Sequence, residues 1–343
     1  MTKKKTCVLL INLGTPDSPK TRDVRTYLSE FLNDPRVIDI NAIGRTALVN
    51  GVIVPLRAPK SAKIYKELWD LWGGESPLLT YGKRLQELVQ AKFDPSENVT
   101  VEFAMRYKNP SLNEVLKRVQ AAAYDRIVIL PLFPHYASSS TGSAIEKAMN
   151  IIRKWWVIPE IKIIQNFYDH PGYIDAFIDR ANQHDIADFD HVLFSYHGLP
   201  ERQIDKVHPT MACNTCDCHK TYKPDQRSCY RNACYETTRL IAAGLGLSES
   251  DYTVAFQSRL GKTPWLKPYS DKVVEDLAKE GKKKVLAFSA AFVADCLETS
   301  IEIGDEYQEI FEEHGGEKIQ LVESLNDSDK WVNTVHDLII DML

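Results

Sequence analysis

Short apolar runs alternate along this chain with longer amphipathic segments. Runs rich in Val, Ile, Leu and Phe predict strands at 7–13, 100–105, 126–133, 160–167, 190–196, 252–257, 284–289 and 318–322. Apolar residues at helical spacing predict helices at 21–33, 77–93, 110–124, 141–155, 171–184, 230–245, 268–280 and 298–314. Apolar strands separated by helices are typical of parallel sheets that are covered on both faces. The pattern therefore predicts an α/β fold with two similar Rossmann-like domains, each a four-stranded parallel sheet flanked by helices.

The two halves of the chain resemble each other where their strands end. The first strands end in Asn12-Leu-Gly-Thr-Pro16 and Tyr196-His-Gly-Leu-Pro200, and the second strands end in Arg106-Tyr107 and Ser258-Arg259. Ligands of such folds bind beyond the carboxyl ends of the strands. We therefore predict a duplicated domain, with a ligand site in the cleft between the halves.

The strand pattern is interrupted near 166–172, and this break predicts the domain boundary. We assign 1–168 to an N-terminal α/β domain and 169–326 to a C-terminal α/β domain. The last segment, 327–343, predicts an amphipathic helix that packs back on the body. Its apolar face consists of Trp331, Val335, Leu338, Ile339 and Met342.

The composition narrows the classes of function. Lys and Arg number 42 against 47 Asp and Glu, a net charge of −5, whereas a general nucleic-acid binder needs a basic surface. No apolar run reaches the roughly 18 residues of a membrane-spanning helix. The N-terminal apolar run lacks a small-residue cleavage site, and no glycine-rich phosphate loop follows a strand. We therefore expect a cytoplasmic protein that binds neither nucleic acid nor a nucleotide cofactor.

Five of the seven cysteines fall between 213 and 234, whereas Cys7 and Cys296 stand alone. Disulfides are rare in cytoplasmic chains. A cluster this dense therefore predicts metal or iron–sulfur ligation.

His197 ends a predicted strand and is followed by the turn residues Gly198-Leu-Pro200. Its position predicts a side chain at the mouth of the cleft rather than in the core. Histidine has an ordinary pKa of about 6.5, which suits a general base at neutral pH or a metal ligand. A hydrogen-bonded structural histidine is the alternative.

Three glutamates, Glu298, Glu302 and Glu306, are spaced four residues apart and form a stripe of like charge on the predicted helix 298–314. Such carboxylates can guide a divalent cation or pass protons. A solvated acidic face is the alternative.

Longer motifs around these residues resemble the ferrochelatases, which insert ferrous iron into a porphyrin. The most specific pair is Phe194-Ser-Tyr-His-Gly-Leu-Pro-Glu-Arg202 and Ala294-Asp-Cys-Leu-Glu-Thr299. Further matching segments are 12–16, 74–77, 105–107, 131–136, 140–143, 257–259 and 264–266. The resemblance implies the chelatase-like fold of two similar four-stranded parallel domains, in agreement with the strand pattern.

The resemblance implies a lyase that inserts Fe²⁺ into protoporphyrin IX to give protoheme, the last step of heme biosynthesis. Insertion displaces two pyrrole protons, so His197 is expected to be the proton acceptor, an iron ligand, or both. Glu298 is expected to be an iron ligand or proton relay, and Glu302 and Glu306 extend that path. The residues expected to bind the porphyrin are Arg57, Tyr65, Ser76, Arg106, Tyr107, Phe133 and Trp265. Cys296 stands where some relatives have a histidine, so no histidine ligand is available there.

The cysteine-rich segment, about 210–234, resembles an insert of some bacterial ferrochelatases that holds a [2Fe–2S] cluster. The expected ligands are Cys213, Cys218, Cys229 and Cys234, with Cys216 as the alternate and zinc as the alternative centre. The cluster would serve as a structural tether or as a redox sensor. Residues about 37–56 are expected to form a lip that covers the porphyrin and can touch a membrane; an ordinary buried helix is the alternative.

The same resemblance leaves several alternatives open. The chelatase could act on coproporphyrin with iron or on sirohydrochlorin with cobalt. A different class of protein, a non-catalytic heme or iron–sulfur binding module, would use His197 as an axial ligand. Peripheral contact with the inner face of the membrane, an upstream protoporphyrinogen oxidase as partner, and a monomeric or homodimeric state are compatible with the family.

Overall fold

Eight strands form two four-stranded sheets in the computed structural model, which describes residues 3–208, 211–259 and 263–343. The strands are β1 (Thr6–Gly14), β2 (Val99–Tyr107), β3 (Arg126–Pro131), β4 (Glu160–Ile163), β5 (His191–His197), β6 (Tyr252–Gln257), β7 (Lys284–Phe288) and β8 (Lys318–Leu321). The strand orders are β2-β1-β3-β4 and β6-β5-β7-β8, and every pairing is parallel. The prediction of two four-stranded parallel sheets is therefore confirmed. Thr210, at the start of the predicted cysteine-rich insert, lies outside the described residues.

Helices connect the strands and cover the sheets. They are α1 (Thr21–Leu32), α2 (Ala42–Leu48), α3 (Val54–Leu71), α4 (Pro77–Gln90), α5 (Leu112–Ala121), α6 (Ser143–Ile152), α7 (Pro171–Ala181), α8 (Glu201–Asp205), α9 (Tyr230–Gly244), α10 (Ser270–Lys279), α11 (Tyr307–Glu313) and α12 (Asp329–Ile340). Three π-helical segments occur at Val49–Ile53, Ser138–Gly142 and Glu298–Glu306. Each helix predicted from the sequence is present. The expectation for 298–314 needs a correction, because its first nine residues are π-helical and only 307–313 are α-helical.

The long helical region 42–71 is absent from the sequence-based prediction, which described only a lip at about 37–56. Pro55 and Pro59 lie in α3, and proline inside a helix removes a hydrogen-bond donor. The π-helical turn immediately before α3 changes the bonding register, since the Val54 N–H donates to the Val49 oxygen. Val49, Val54 and Ala58 of this region belong to a buried cluster, whereas several other apolar side chains near it are exposed. They are Ile40, Ile43, Leu48, Val52 and Leu56.

The chain divides into two compact units. Unit 1 comprises Met1–Phe133, Ser138–Gln165 and Val332–Leu343, and unit 2 comprises Pro134–Ala137 and Asn166–Trp331. In the described part of the chain, no helix has both the length and the apolarity that crossing a bilayer requires.

Each unit has a core between its sheet and the helices that follow the second and third strands. In unit 1, Leu9, Ile129 and Leu116 belong to one buried cluster, and in unit 2, Leu193 and Phe311 belong to another. The central strands β1 and β5 are buried almost throughout, because both of their faces are covered. Only their carboxyl ends become accessible, with Leu13 and His197 half-buried.

Candidate active site

The carboxyl end of β5 presents His197 through a tight backbone approach. The Gly198 N–H donates to the Gln257 carbonyl at 2.8 Å. A Cβ on Gly198 would lie only 2.7 Å from that same oxygen and 3.3 Å from the Trp265 ring. The Tyr230 hydroxyl donates to the His197 carbonyl at 2.8 Å. Glycine is therefore required beside the histidine, and the backbone of His197 is held from two sides.

The ring of His197 has one nitrogen engaged by its own turn. Nδ1 lies 2.7 Å from the Gly198 carbonyl oxygen. A carbonyl oxygen only accepts hydrogen bonds, so Nδ1 carries the proton in this contact. In the neutral ring, Nε2 then has an unprotonated lone pair, which can accept a proton or bind a metal.

Glu302 lies at the same edge, between the ends of β5 and β6. Its Oε2 accepts hydrogen bonds from Gln257 Nε2 at 2.9 Å and from Ser258 Oγ. Burial and the nearby charge of Glu298 raise the pKa of Glu302, and these influences outweigh the opposing hydrogen bonds and the charge of His197. Glu302 is thus a carboxyl group whose environment favours holding a proton.

Glu298 is the first residue of the π-helical segment, and it is therefore nearer to β7 in sequence than Glu302 is. Its carbonyl accepts from Gln257 Nε2 at 3.4 Å. Burial and then the nearby carboxylate of Glu298 raise the pKa of the Cys296 thiol. Glu298 and Glu302 are half-buried, whereas Glu306 is exposed. The predicted acidic stripe therefore runs from a partly buried end to the surface, and the carboxylates of Glu298 and Glu302 are close enough to interact.

Unit 1 has a different polar cluster at the carboxyl end of β2. Arg106 pairs with Asp34, donates to Ser143 Oγ at 2.6 Å, and covers the Tyr107 ring at 4.3 Å from its centroid. Tyr107 is fully buried, and its hydroxyl donates to Asp34 at 2.9 Å. Arg106 and Tyr107 therefore already have partners within unit 1.

Asp34 is the acceptor that joins this cluster. Burial alone would raise the pKa of Asp34, but hydrogen bonds from Ser143 and the Arg36 backbone, with the charge of Arg106, together lower it. The pKa of Asp34 is therefore shifted in the opposite direction to that of Glu302.

The other residues expected to bind porphyrin lie in varied surroundings. Arg57 is exposed on α3. Tyr65 packs edge-on against Tyr27 and Trp69 at centroid distances of 6.1 and 5.8 Å. Ser76 is buried and donates to Thr15 at 3.1 Å. Phe133 packs on the core of unit 1, and Trp265 lies in unit 2 against Gly198.

The five clustered cysteines are buried and unpaired. Cys218 interacts with each of the other four: it hydrogen-bonds Cys229 and Cys216 and is close enough to affect the titration of Cys213 and Cys234. Burial raises the pKa of Cys213 to about 11. Hydrogen bonding between Cys218 and Cys229 raises the pKa of Cys218 and lowers that of Cys229.

Basic side chains accompany these thiols. Arg231 donates to the Cys213 carbonyl at 2.9 Å and lies 3.9 Å from its sulfur. Arg239 donates to the Cys218 carbonyl at 2.9 Å. This donor set suits a thiolate-bound centre, because cations stabilise thiolates. Within the three described ranges, however, no three His, Cys, Asp or Glu side chains converge on a single metal position.

Sequence reasoning did not single out several residues that organise these sites. Asp34, Ser143, Gln257, Ser258 and Tyr230 all contact predicted site residues. Gln257 and Ser258 carried a usable signal, because they lie at the end of the strand next to His197 and within a segment that matches the family. Asp34 carried none, since it lies in the turn after α1 and resembles an ordinary helix end.

Known proteins resemble this chain along nearly its full length. A family model described as Ferrochelatase matches residues 5–343. A protein named Ferrochelatase from Legionella pneumophila (strain Paris) is 42% identical over 339 residues, which cover 98% of this chain and 99% of the relative. Another protein with that name, from Pseudomonas fluorescens biotype C, is 41% identical over 333 residues and 96% of each chain.

Solved structures resemble the fold at much lower identity. SirB from Bacillus subtilis with Fe³⁺ matches with a TM-score of 0.54 and 10% identity, over 98% of this chain and 95% of that one. The sirohydrochlorin chelatase SirB from Bacillus subtilis subspecies spizizenii, in complex with cobalt, matches with a TM-score of 0.51 and 9% identity, over 98% and 94%. These likenesses concern the fold alone, and they confirm the chelatase-like α/β prediction.

Proposed function

The chain belongs to the ferrochelatase family, and on that premise we propose that it inserts ferrous iron into protoporphyrin IX and releases protoheme and two protons. The observation that carries this proposal is the grouping at one edge of unit 2. His197, with an available Nε2, is the strand partner of Gln257. The Gln257 side chain in turn donates to the Glu302 carboxyl group, whose pKa is raised, and to the Glu298 carbonyl. Such a group can remove protons and accept a divalent cation without a redox cofactor.

His197 is proposed to accept the pyrrole protons, to bind the incoming iron, or both. Its Nδ1–H contact with the Gly198 carbonyl fixes the tautomer that leaves Nε2 available. Gly198 and Tyr230 hold the backbone of His197, so the ring is positioned before the substrates bind.

Glu298 is proposed to be an iron ligand or a proton relay, and Glu302 and Glu306 continue that path toward the surface. The raised pKa of Glu302 supports this role, because a carboxyl group with a raised pKa takes up a proton more readily than an ordinary glutamate. The decreasing burial from Glu302 to Glu306 gives the path a direction toward solvent.

The porphyrin contacts are proposed for Arg57, Tyr65, Ser76, Arg106, Tyr107, Phe133 and Trp265. Arg57 is exposed, and its guanidinium can pair with a propionate. Arg106 and Tyr107 are held by Asp34 and Ser143, so we assign them mainly to shaping the edge of unit 1. Trp265 lies against Gly198, where an aromatic face can pack on a flat macrocycle.

The cysteine-rich segment is proposed to hold a [2Fe–2S] cluster through Cys213, Cys218, Cys229 and Cys234, with Cys216 as the alternate ligand. Zinc is the alternative. The support for this proposal is that all five thiols are buried in one segment and that Cys218 is close to each of the other four. Thiolates are the ligands of both [2Fe–2S] clusters and structural zinc. The cluster would supply a structural link or a redox-sensitive group.

The decisive experiment is an anaerobic assay that follows the absorption bands of protoporphyrin IX as Fe²⁺ is added. We expect conversion to heme with the unaltered protein and a rate at least a hundred-fold lower with His197→Ala, while the porphyrin still binds. His184→Ala is the matched control, because His184 pairs with Glu323 on another side of unit 2. Retained turnover in His197→Ala would remove its role as the essential base.

The same assay separates the alternatives. Conversion of coproporphyrin but not protoporphyrin would assign the other substrate. Porphyrin binding without conversion of either would favour a heme-binding module.

A second experiment tests the cysteine centre. Visible absorbance and labile sulfide in anaerobically purified protein support [2Fe–2S], and both should be lost in Cys218→Ser but kept in Cys7→Ser. Stoichiometric zinc without sulfide would assign the alternative metal.

Localisation and partners follow from the family as proposals. We place the protein in the cytoplasm, with peripheral contact at the inner face of the membrane. An upstream protoporphyrinogen oxidase would supply the porphyrin, and the protein would act as a monomer or homodimer.

A further inference from the structure

The loop between α6 and β4 exposes three consecutive apolar residues. Trp156, Val157 and Ile158 are 101%, 81% and 56% exposed. Soluble proteins rarely expose contiguous large apolar side chains unless the surface binds something. This loop, residues 153–159, is called the tryptophan loop below.

The tryptophan loop is held in place on both sides. Trp155 packs on the core of unit 1, and its backbone N–H donates to the Ile152 carbonyl at 2.9 Å. At the other end, the Glu160 N–H donates to the Asp125 carbonyl at 3.0 Å as β4 begins. One tryptophan therefore anchors the loop while the next points into solvent, so the exposed tip is a fixed feature of the fold.

Basic residues precede this apolar tip in the sequence. The segment 147–159 contains Lys147, Arg153 and Lys154 and no acidic residue, although the whole chain has a net charge of −5. The next acid, Glu160, is paired with Lys4 at 2.6 Å and with Arg126 at 3.0 Å. The acid that follows the loop in sequence is therefore paired with two cations.

The tryptophan loop lies at the edge of the unit 1 sheet opposite to the one that carries Arg106 and Tyr107. It immediately precedes β4, and β4 is parallel to β3 and β1. The loop is thus at the amino ends of the strands, whereas Gly14 and Tyr107 lie at the carboxyl ends. It is also separate in sequence from the exposed apolar residues of 40–56.

We propose that the tryptophan loop is a docking site for an anionic lipid bilayer. Tryptophan concentrates at the level of the lipid headgroups, where its ring is amphipathic. Val157 and Ile158 would enter the boundary of the acyl chains, and Arg153 and Lys154 would meet acidic headgroups. This inference does not depend on the proposed chelatase activity, because no residue of the loop belongs to that site.

The experiment is co-flotation of the full chain with vesicles of phosphatidylcholine alone or with about a third phosphatidylglycerol, at low and high salt. We expect at least ten-fold stronger partition onto the anionic vesicles, weakened by salt. Each basic residue near an anionic surface contributes about five-fold, so Arg153→Gln with Lys154→Gln should weaken binding about 25-fold. Trp156→Ser with Val157→Ser should weaken it at least ten-fold.

Two control variants make the test specific. Lys272→Gln with Lys279→Gln removes two cations from α10 and should leave binding within about two-fold. Ile43→Ser with Leu56→Ser alters the other exposed apolar region and should also leave the salt-dependent binding unchanged.

Three outcomes would overturn the proposal: equal partition onto both kinds of vesicle, full binding by the Trp156→Ser variant, or loss of binding in the Ile43→Ser variant instead. A concentration-dependent dimer that Trp156→Ser abolishes, with no vesicle binding, would assign the loop to a second copy of the chain. All substituted side chains of the loop are exposed, and thermal unfolding of each variant should match the unaltered protein.

Discussion

In each unit, a glycine at the carboxyl end of the central strand lies close to the backbone of the second strand. A Cβ on Gly14 would lie 2.1 Å from the Tyr107 oxygen, and a Cβ on Gly198 would lie 2.7 Å from the Gln257 oxygen. The second strand of each unit also makes the same kind of hydrogen bond to a proline that follows it. The backbone N–H of Met105 donates to the Pro110 carbonyl at 2.7 Å, and that of Phe256 donates to the Pro268 carbonyl at 2.8 Å. Leu13 of unit 1 therefore corresponds to His197 of unit 2.

The acids at these two edges differ in their partners. In unit 1, Asp34 pairs with Arg106, and its pKa is lowered despite burial. In unit 2, Glu302 is hydrogen-bonded by the neutral groups of Gln257 and Ser258, and burial raises its pKa. The same type of edge thus holds an acid with a lowered pKa in one unit and an acid with a raised pKa in the other.

The largest expected effect tests whether the acidic stripe of unit 2 has a chemical role. Glu298→Gln keeps the size of the side chain but removes its charge, and we expect iron insertion to slow at least a hundred-fold, mainly in kcat. The anaerobic porphyrin assay measures this. Glu306→Gln, at the exposed end of the stripe, should stay within a few-fold; equal losses in both variants would mean that the stripe acts only through its overall charge.

The fold was predictable because it follows from local periodicity. Continuous apolar strands such as β1 and β5 can only be buried on both faces, which requires parallel neighbours and covering helices. The π-helical turns at Val49–Ile53 and Glu298–Glu306 were not predictable. The choice between neighbouring helical registers depends on tertiary packing rather than on residue type.

The candidate site was predictable only in part. His197 and Glu298 follow strands, so their position at an edge could be inferred from the chain. The partners that set their properties come from other segments: Tyr230 from α9 and Ser258 from the end of β6. A residue such as Asp34, which is brought to Arg106 by the path of the turn after α1, has no local signature.

The second prediction breaks the ion pair of unit 1. Asp34→Asn leaves Arg106 buried without its counter-charge, and we expect a loss of about 3 kcal/mol in the free energy of unfolding. Because the folded pKa of Asp34 is lowered, its stabilisation is present above the ordinary carboxyl pKa and is lost as the pH falls through the folded value.

Urea unfolding at neutral and acidic pH measures both parts of that prediction. The deficit of Asp34→Asn should be large at neutral pH and should shrink in acid. Arg106→Met combined with Asp34→Asn should recover part of the stability. A constant deficit at every pH would show that packing, and not charge, is lost.

The third prediction compares the two glycines. Gly14 has a φ of +124°, so Gly14→Ala adds backbone strain to the overlap with the Tyr107 oxygen and should cost about 2 kcal/mol of stability. Gly198 has no such φ, and Gly198→Ala should mainly displace the Gln257 carbonyl, the partner of the Gly198 N–H. We expect the first variant to lose more stability and the second to lose more activity. Urea unfolding and the porphyrin assay test the two halves, and the reverse order would contradict the equivalence of the edges.

The smallest expected effect is a gain in the free energy of unfolding from Glu302→Gln, opposite in sign to the loss expected from Asp34→Asn. Because the folded pKa of Glu302 is raised, the folded state binds more protons than the unfolded state between the two values, and stability falls as the pH rises through that window. Glu302→Gln removes this penalty while its amide oxygen still accepts from Ser258 and Gln257. Unfolding in urea should therefore find the variant close to the unaltered protein in acid and more stable at neutral and alkaline pH, with Glu306→Gln as the control.

If Glu302→Gln is instead less stable at neutral pH, then attraction to His197 outweighs burial and repulsion from Glu298, and unit 2 holds a charged pair much as unit 1 does. A gain in stability together with slower iron insertion would mean that this carboxyl is kept at a cost to the fold, which is the difference expected between a structural acid and one that exchanges protons.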